Sequence, residues 1–70
     1  MTEIKAPITA NVWKVLVKKD QSVVEGDTLV ILEAMKMEIN IDAPFDATVS
    51  DVFIQEGGKV NAGDRVITLA

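Results

Sequence analysis

The sequence predicts an all-β fold, a flattened β-barrel or sandwich built from two quasi-symmetric four-stranded units. Three observations on the 70-residue chain lead to this prediction. Apolar and polar residues alternate over short stretches, which is typical of half-buried strands. Turn-forming glycine, proline and aspartate residues separate these stretches. The two halves of the chain also repeat each other, and no stretch has the apolar spacing of an amphipathic helix.

Each expected strand is a short apolar stretch that ends at a turn signal. Proline closes the first and fifth strands, an Asp-Gln pair closes the second, and glycine-containing turns precede the fourth, seventh and eighth. Alternation is clearest in the second and sixth strands, whereas the fourth and eighth are runs of β-branched residues and leucine. The predicted strands are, in order, residues 3–6, 11–17, 22–24, 28–34, 37–42, 47–54, 59–60 and 65–69.

The second half of the chain repeats the first with no gap. Residues 1–33 align with residues 38–70, and ten of the 33 aligned pairs are identical. The identical pairs are Ile4/Ile41, Ala6/Ala43, Pro7/Pro44, Ala10/Ala47, Val12/Val49, Val15/Val52, Val23/Val60, Gly26/Gly63, Asp27/Asp64 and Leu32/Leu69. Because alternating positions match, both halves bury the same side of each strand. We therefore expect two copies of one unit to pack about a pseudo-twofold axis.

The repeat leaves out only the segment Ala34-Met35-Lys36-Met37. If Met35-Lys36 is a two-residue hairpin loop, Glu33 faces Glu38, and four apolar residues share the core face (Val30, Leu32, Ile39 and Ile41). A slip of one residue would turn these apolar residues to solvent. The sequence therefore predicts Lys36 at a hairpin tip, and the symmetry predicts both termini together at the opposite end.

Composition excludes several classes of function. The chain has no Cys, His or Tyr, so thiol, imidazole and phenol catalysis and most zinc sites are excluded. A net charge of −4 argues against a nucleic-acid partner. No apolar stretch is long enough to span a membrane. We expect a cytoplasmic, monomeric module, covering residues 1–70 as one domain, that is not an enzyme by itself.

The predicted tip departs from local preferences. Two-residue hairpin loops favour Asn-Gly or Gly-X because their φ angles must be positive, and Met35-Lys36 meets neither preference. Glu33 and Glu38 would face each other as like charges. Each feature also has an ordinary interpretation: a solvated lysine, edge charges that oppose aggregation, and a packing role for Met37 on the core face. Their coincidence in the only unrepeated segment favours a functional site.

The segment Glu33-Ala34-Met35-Lys36-Met37-Glu38 resembles the biotin-attachment motif of the biotinyl/lipoyl attachment family, of the biotin carboxyl carrier type. The resemblance extends along the whole chain, through Ala6-Pro7, Gly26-Asp27 and their repeats. It implies a barrel-sandwich hybrid fold. The absence of an insertion at 17–23, and the limits of the chain at Met1 and Ala70, make it similar to the small stand-alone members that lack a protruding thumb.

The resemblance implies that Lys36 carries covalent biotin, attached by a biotin protein ligase. The biotin would shuttle carboxyl groups between a biotin carboxylase and a carboxyltransferase. Met35 and Met37 would serve recognition by these enzymes, with weaker contributions from three neighbours in the motif, namely Glu33, Ala34 and Glu38.

Two alternatives stay open at this point. One is a lipoyl carrier, or a chain that accepts both biotin and lipoate, although Asp-Lys-Ala flanks are more typical of lipoate. The other is an unmodified structural domain of the same fold. The chain also departs from the family by having Ala10, Ala47 and Asp20 where glycine is usual, and Gly58 where aspartate is common. Alanine would be strained at those positions if their φ angles were positive.

Overall fold

A computed structural model describes all 70 residues as eight strands in two four-stranded sheets. The strands are β1 (Thr2–Lys5), β2 (Ala10–Val15), β3 (Ser22–Val23), β4 (Thr28–Ala34), β5 (Met37–Asp42), β6 (Ala47–Val52), β7 (Lys59–Val60) and β8 (Arg65–Leu69). The all-β prediction is confirmed. No helix is present that could cross a membrane.

The predicted strands at 11–17 and 47–54 are too long at their C-terminal ends, since β2 stops at Val15 and β6 at Val52. One further backbone bond follows in each, from Leu16 to Leu29 and from Phe53 to Val66, both at 2.9 Å. The chain then enters a turn. The apolar alternation continues past the last strand residue because side chains still pack there, so the sequence pattern overstates the strand length.

The two sheets interleave the two sequence repeats. One sheet has the order β1-β8-β6-β3, and the other has the order β5-β4-β2-β7. In each sheet the two inner strands come from one repeat and the two outer strands come from the other. The expectation of two units packed on one another is corrected in this respect, because neither repeat forms a sheet by itself. The interleaving ties the two halves together through backbone hydrogen bonds.

The pseudo-twofold symmetry is visible in the backbone. The Ala6 amide donates to the Asp64 carbonyl at 2.9 Å, and the Ala43 amide donates to the Asp27 carbonyl at 2.8 Å. Each of these bonds joins one repeat to the other, and each is the symmetry mate of the other. The sequence repeat therefore corresponds to a symmetry of the fold. Where two symmetry-related positions carry different kinds of residue, the fold alone does not explain the difference.

The departures from the usual glycine positions cause little strain. Ala10 and Ala47 begin strands and are not among the residues with positive φ, so the strain considered for them does not arise. Asp20 does have a positive φ of 71°, and its symmetry mate Gly57 has a φ of 86°. Aspartate tolerates this left-handed conformation better than most residues do.

A single apolar core fills the space between the sheets. It consists of Ala6, Ala10, Val12, Val17, Val23, Leu29, Val30, Leu32, Ile41, Ala43, Val49, Val60, Val66, Ile67 and Leu69. Of the fully buried side chains, three come from β4, three from its symmetry mate β8, and one, Val49, from β6. Burial of such side chains contributes about 1.5–3 kcal/mol each, and it anchors β4, the strand that leads to the predicted tip.

The hairpin tip and the chain termini lie at opposite ends of the sandwich. From the tip, β4 and β5 run back to Thr28 and Asp42, where the chain turns towards β6. Near the start of β6, Thr48 exchanges backbone hydrogen bonds with Ala70 at 2.8 and 3.4 Å. Pairing of β1 with β8 brings the N-terminus to the same place. The arrangement confirms the predicted placement, along a long axis of 30 Å.

Candidate functional site

The β4–β5 hairpin has the register that the sequence predicts. Glu33 pairs with Glu38 and Ala34 with Met37, which leaves Met35 and Lys36 as the two-residue loop. The buried residues of β4 and β5 fix this register, because a shift of one position would expose the core-facing side chains of both strands. The buried part of the hairpin thus determines which residue stands at its end.

The loop backbone is left-handed at both central residues. Met35 has a φ of 52° and Lys36 a φ of 65°. Positive φ at both positions is the requirement of a type I′ turn, whose twist matches that of the flanking strands. Neither residue is a glycine, asparagine or aspartate, so the turn is strained by about 1–2 kcal/mol per residue. These two are the only positive-φ residues without a symmetry mate in the fold.

Two exposed methionines flank Lys36. The Met35 side chain is 94% exposed and that of Met37 is 65% exposed, and Lys36 itself is exposed. The ordinary interpretation of Met37 as a core residue is therefore wrong, because the last core-facing pair of the hairpin, Leu32 with the half-buried Ile39, lies two pairs below it. Apolar side chains that stay in water at a strained tip are available to a partner.

The carboxylates of the motif stand one pair below the tip. Glu33 and Glu38 are exposed and face each other, as predicted. The ion pairs of the structure involve Lys5, Lys19 and Arg65, so no carboxylate is paired with Lys36. Ala34, the remaining residue of the motif, is half-buried and packs against the core. The Lys36 side chain thus stands exposed at the tip, with no carboxylate paired to it.

The structure adds two neighbours that the sequence did not indicate. Asn11 on β2 pairs with Glu33, and Lys59 on β7 pairs with Asn11, so these residues form one row across the sheet with Glu38. Pairing of β2 with both β4 and β7 joins distant parts of the chain. No local pattern signals such contacts, although the interleaved symmetry requires them once the sheet order is known.

No group of three or more His, Cys, Asp or Glu residues could hold a metal ion. Fold and tip together define a class of protein: a hybrid sandwich of two interleaved repeats that presents one lysine on a two-residue hairpin, far from its termini.

Comparison with known proteins identifies the family. A family model described as "Biotin-requiring enzyme", of the biotin/lipoyl type, matches residues 2–69. The chain is 48% identical over 65 residues to a biotin carboxyl carrier protein of Streptococcus mutans, and the match covers 93% of this chain and 50% of that protein. It is 39% identical over 67 residues to a biotin/lipoyl attachment protein of Bacillus subtilis, with coverage of 96% and 92%. The chain belongs to the biotin/lipoyl attachment family.

Solved structures agree with this assignment. The chain superposes on part of a single-chain, multi-domain long-chain acyl-CoA carboxylase with a TM-score of 0.90 and 29% identity, covering 94% of this chain and 6% of that one. The lipoyl domain of the 2-oxoglutarate dehydrogenase complex from Azotobacter vinelandii gives a TM-score of 0.87 at 22% identity, covering 100% and 96%. The second likeness shows the fold alone.

The extent of the match differs among the relatives. The chain spans half the length of the Streptococcus mutans carrier protein and 6% of a Bacillus subtilis pyruvate carboxylase that is 37% identical to it over 68 residues. By contrast, it spans 96% of a biotinylated protein of Mycobacterium leprae, again at 37% identity over 68 residues. The shared unit is therefore the sandwich with its hairpin, and the activities of the larger relatives belong to those whole proteins.

Proposed function

We propose that the chain is a non-catalytic biotin carrier, biotinylated on Lys36. The observation that carries the proposal is the placement of Lys36 between two exposed methionines, at the strained end of a hairpin whose register the core fixes. Relatives named as a biotin carboxyl carrier protein and as a biotinylated protein support biotin as the attached group. The proposed site residues beside Lys36 are Met35 and Met37, with smaller roles for Glu33, Ala34 and Glu38.

The chemistry of attachment requires a second enzyme. A lysine amine is protonated at neutral pH and must lose its proton before it can attack an acyl group. The chain has no His, Cys or Tyr, and no ion pair holds Lys36 near an acid. We therefore propose that a biotin protein ligase supplies both a base and biotinyl-adenylate. The Lys36 Nζ then bonds to the acyl carbon, the bond from that carbon to the phosphate breaks, and AMP leaves.

The geometry suits a carrier once the amide has formed. Amide formation removes the positive charge of Lys36 and leaves a flexible arm at one end of a rigid sandwich. When bound, biotin supplies the chemistry of carboxyl transfer, and the protein supplies position. Termini at the far end leave the tip free to reach a biotin carboxylase and then a carboxyltransferase, at an effective concentration set by the arm and by any linker.

A second candidate, lipoate, is favoured by one observation. The Bacillus subtilis relative, of which the match covers 92%, is named a biotin/lipoyl attachment protein. Met35 and Met37 favour biotin, because Asp and Ala are the more typical neighbours of the lysine in lipoyl carriers. Both groups would attach to the same amine. Which of them the chain carries therefore depends on which ligase recognises the tip.

The test is intact mass after separate incubations with a biotin protein ligase and with a lipoate ligase, each with ATP and its cofactor. We expect one biotinyl group per chain and none on the Lys36→Arg variant, which keeps the charge. The loaded chain should then accept labelled carboxyl from bicarbonate in the presence of isolated biotin carboxylase and ATP. A lipoyl addition without a biotinyl addition, or a biotinylated chain that takes no label, contradicts the proposal.

A further inference from the structure

The pseudo-twofold symmetry offers an internal comparison between the outer faces of the two sheets. The face of the β5-β4-β2-β7 sheet carries the tip, and the face of the β1-β8-β6-β3 sheet is its symmetry mate. Residues that serve the fold alone should have similar partners on both faces. Residues that differ in kind between the faces point instead to a role that only the tip-bearing face has.

An apolar pair is present on the tip-bearing face only. Trp13 lies at a bulge in β2, where the register moves from Val12 opposite Leu32 to Lys14 opposite Ile31. Its indole is 46% exposed, and Ile31 is half-buried on the outer side of β4. β6 has the same bulge, but there the symmetry-related residues are polar, with Ser50 in place of Trp13 and Thr68 in place of Ile31. The fold requires the bulge and does not require the tryptophan.

Carboxylates border this apolar pair towards the tip. Glu33 and Glu38 are exposed on the β4–β5 hairpin, which carries no basic residue on this face. The Nζ of Lys14 lies 6.0 Å from the Trp13 ring centroid, and Lys59 on β7 lies at the other end of the row that contains Glu33 and Glu38. Trp13 is about 10 Å from the loop, counted as three residues of β4. An enzyme that encloses Lys36 from this side would therefore cover Trp13 as well.

We propose that this face is the surface on which the biotin protein ligase docks, with Trp13 as its anchor; the inference rests on the proposed function. The complementary ligase surface is an apolar pocket for the indole, with lysine or arginine side chains opposite Glu33 and Glu38. Tryptophan is enriched among the interface residues that dominate binding energy. Complementary charges speed the encounter and fix its orientation.

The ligase is the occupant that most needs such a surface. At a carboxylase site the attached biotin is itself bound by the enzyme, so the surface of the carrier needs to supply only part of the contacts. The ligase meets an unmodified chain by diffusion and must select one lysine among six in this chain alone. Its selectivity must come from contacts with the folded domain, and those contacts must be close enough to Lys36 to place its amine.

The experiment measures steady-state biotinylation of the whole chain by a biotin protein ligase, with the chain as the varied substrate. Trp13→Ser installs the residue found at the symmetry-related position. We expect its KM to rise about tenfold with kcat unchanged, as for loss of a binding anchor. The matched control is Leu16→Ser. Leu16 is 47% exposed, against 46% for Trp13, but its backbone amide bonds to the Leu29 carbonyl, at the end of β4 away from the tip. Its KM should stay within twofold of the wild-type value.

A second variant separates docking from folding. Trp13→Ser combined with Ser50→Trp moves the indole to the symmetry-related bulge and leaves the composition unchanged. We expect it to keep the raised KM, with a circular dichroism spectrum like that of the wild type. An unchanged KM for Trp13→Ser, an equal rise for Leu16→Ser, or a defect seen only in carboxylation of the loaded chain would overturn the inference. Absence of biotinylation of the wild-type chain would instead overturn the proposed function.

Discussion

The strain at the hairpin tip leads to a quantitative prediction. Met35 and Lys36 hold φ angles of 52° and 65° without a residue type that favours them. At about 1–2 kcal/mol each, the two residues together raise the free energy of the folded state by about 2–4 kcal/mol. Replacement by Asn-Gly, the preferred pair for a type I′ turn, removes most of that cost. Glycine has more conformational entropy in the unfolded chain than lysine has. This lowers the free energy of unfolding by about 0.5–1 kcal/mol and offsets part of the gain.

We therefore expect the double variant Met35→Asn/Lys36→Gly to unfold with a free energy about 2 kcal/mol above that of the wild type. The assay is urea denaturation followed by circular dichroism. With a slope of about 1 kcal/mol per molar urea, the midpoint should rise by about 2 M. The variant lacks the lysine and cannot be acylated. The residues that would serve function at these two positions are therefore the ones that lower the stability of the fold.

The matched control is Met37→Asn. Met37 is exposed and adjoins the loop, but it lies in β5 and does not have a positive φ. Its replacement should leave the midpoint unchanged or lower it slightly, because asparagine has a low strand propensity. If the Asn-Gly variant unfolds at the same urea concentration as the wild type, or at a lower one, the tip is not strained and the reasoning is refuted.

Three further predictions concern the sandwich and use the same urea assay. Thr68 is 4% exposed and its Oγ1 has no hydrogen-bond partner, so Thr68→Val should raise the free energy of unfolding by about 1 kcal/mol; a loss of stability would show that the hydroxyl is satisfied. Gly26 and Gly63 both have a φ of 90° in open surroundings, so Gly26→Ala and Gly63→Ala should each cost about 1–2 kcal/mol. Costs that differ by more than about twofold would contradict the symmetry. Leu32 is fully buried below the tip, so Leu32→Ala should cost about 3 kcal/mol or more, and a cost below about 1 kcal/mol would mean that the core does not hold the hairpin.

The sequence was sufficient for those features that depend on a repeated or alternating pattern. The hairpin register follows from the apolar residues of β4 and β5, because Val30 faces Ile41 and Leu32 faces Ile39, and only one register buries them. The position of Lys36 follows from that register and from the unrepeated segment. The motif around it then gave the family, which the comparisons confirm.

Features that depend on distant contacts were not predictable. The interleaving of the repeats arises from pairing between β1 and β8 and between β2 and β7, which leaves no local signal. The bulge at Trp13 is likewise a matter of register between distant strands. The alternation alone also allowed a packing role for Met37, because it continues past the point at which the core ends. The left-handed loop could be expected from its length but not from Met35 and Lys36 themselves.

The central claim is that the fold presents Lys36, and no other lysine, for acylation. The most direct measurement is peptide mapping by tandem mass spectrometry after incubation of the chain with a biotin protein ligase, ATP and biotin. The account predicts one biotinyl group, on Lys36, and none on Lys5, Lys14, Lys18, Lys19 or Lys59. Biotin at any of those five lysines under conditions that leave Lys36 unmodified would contradict the account.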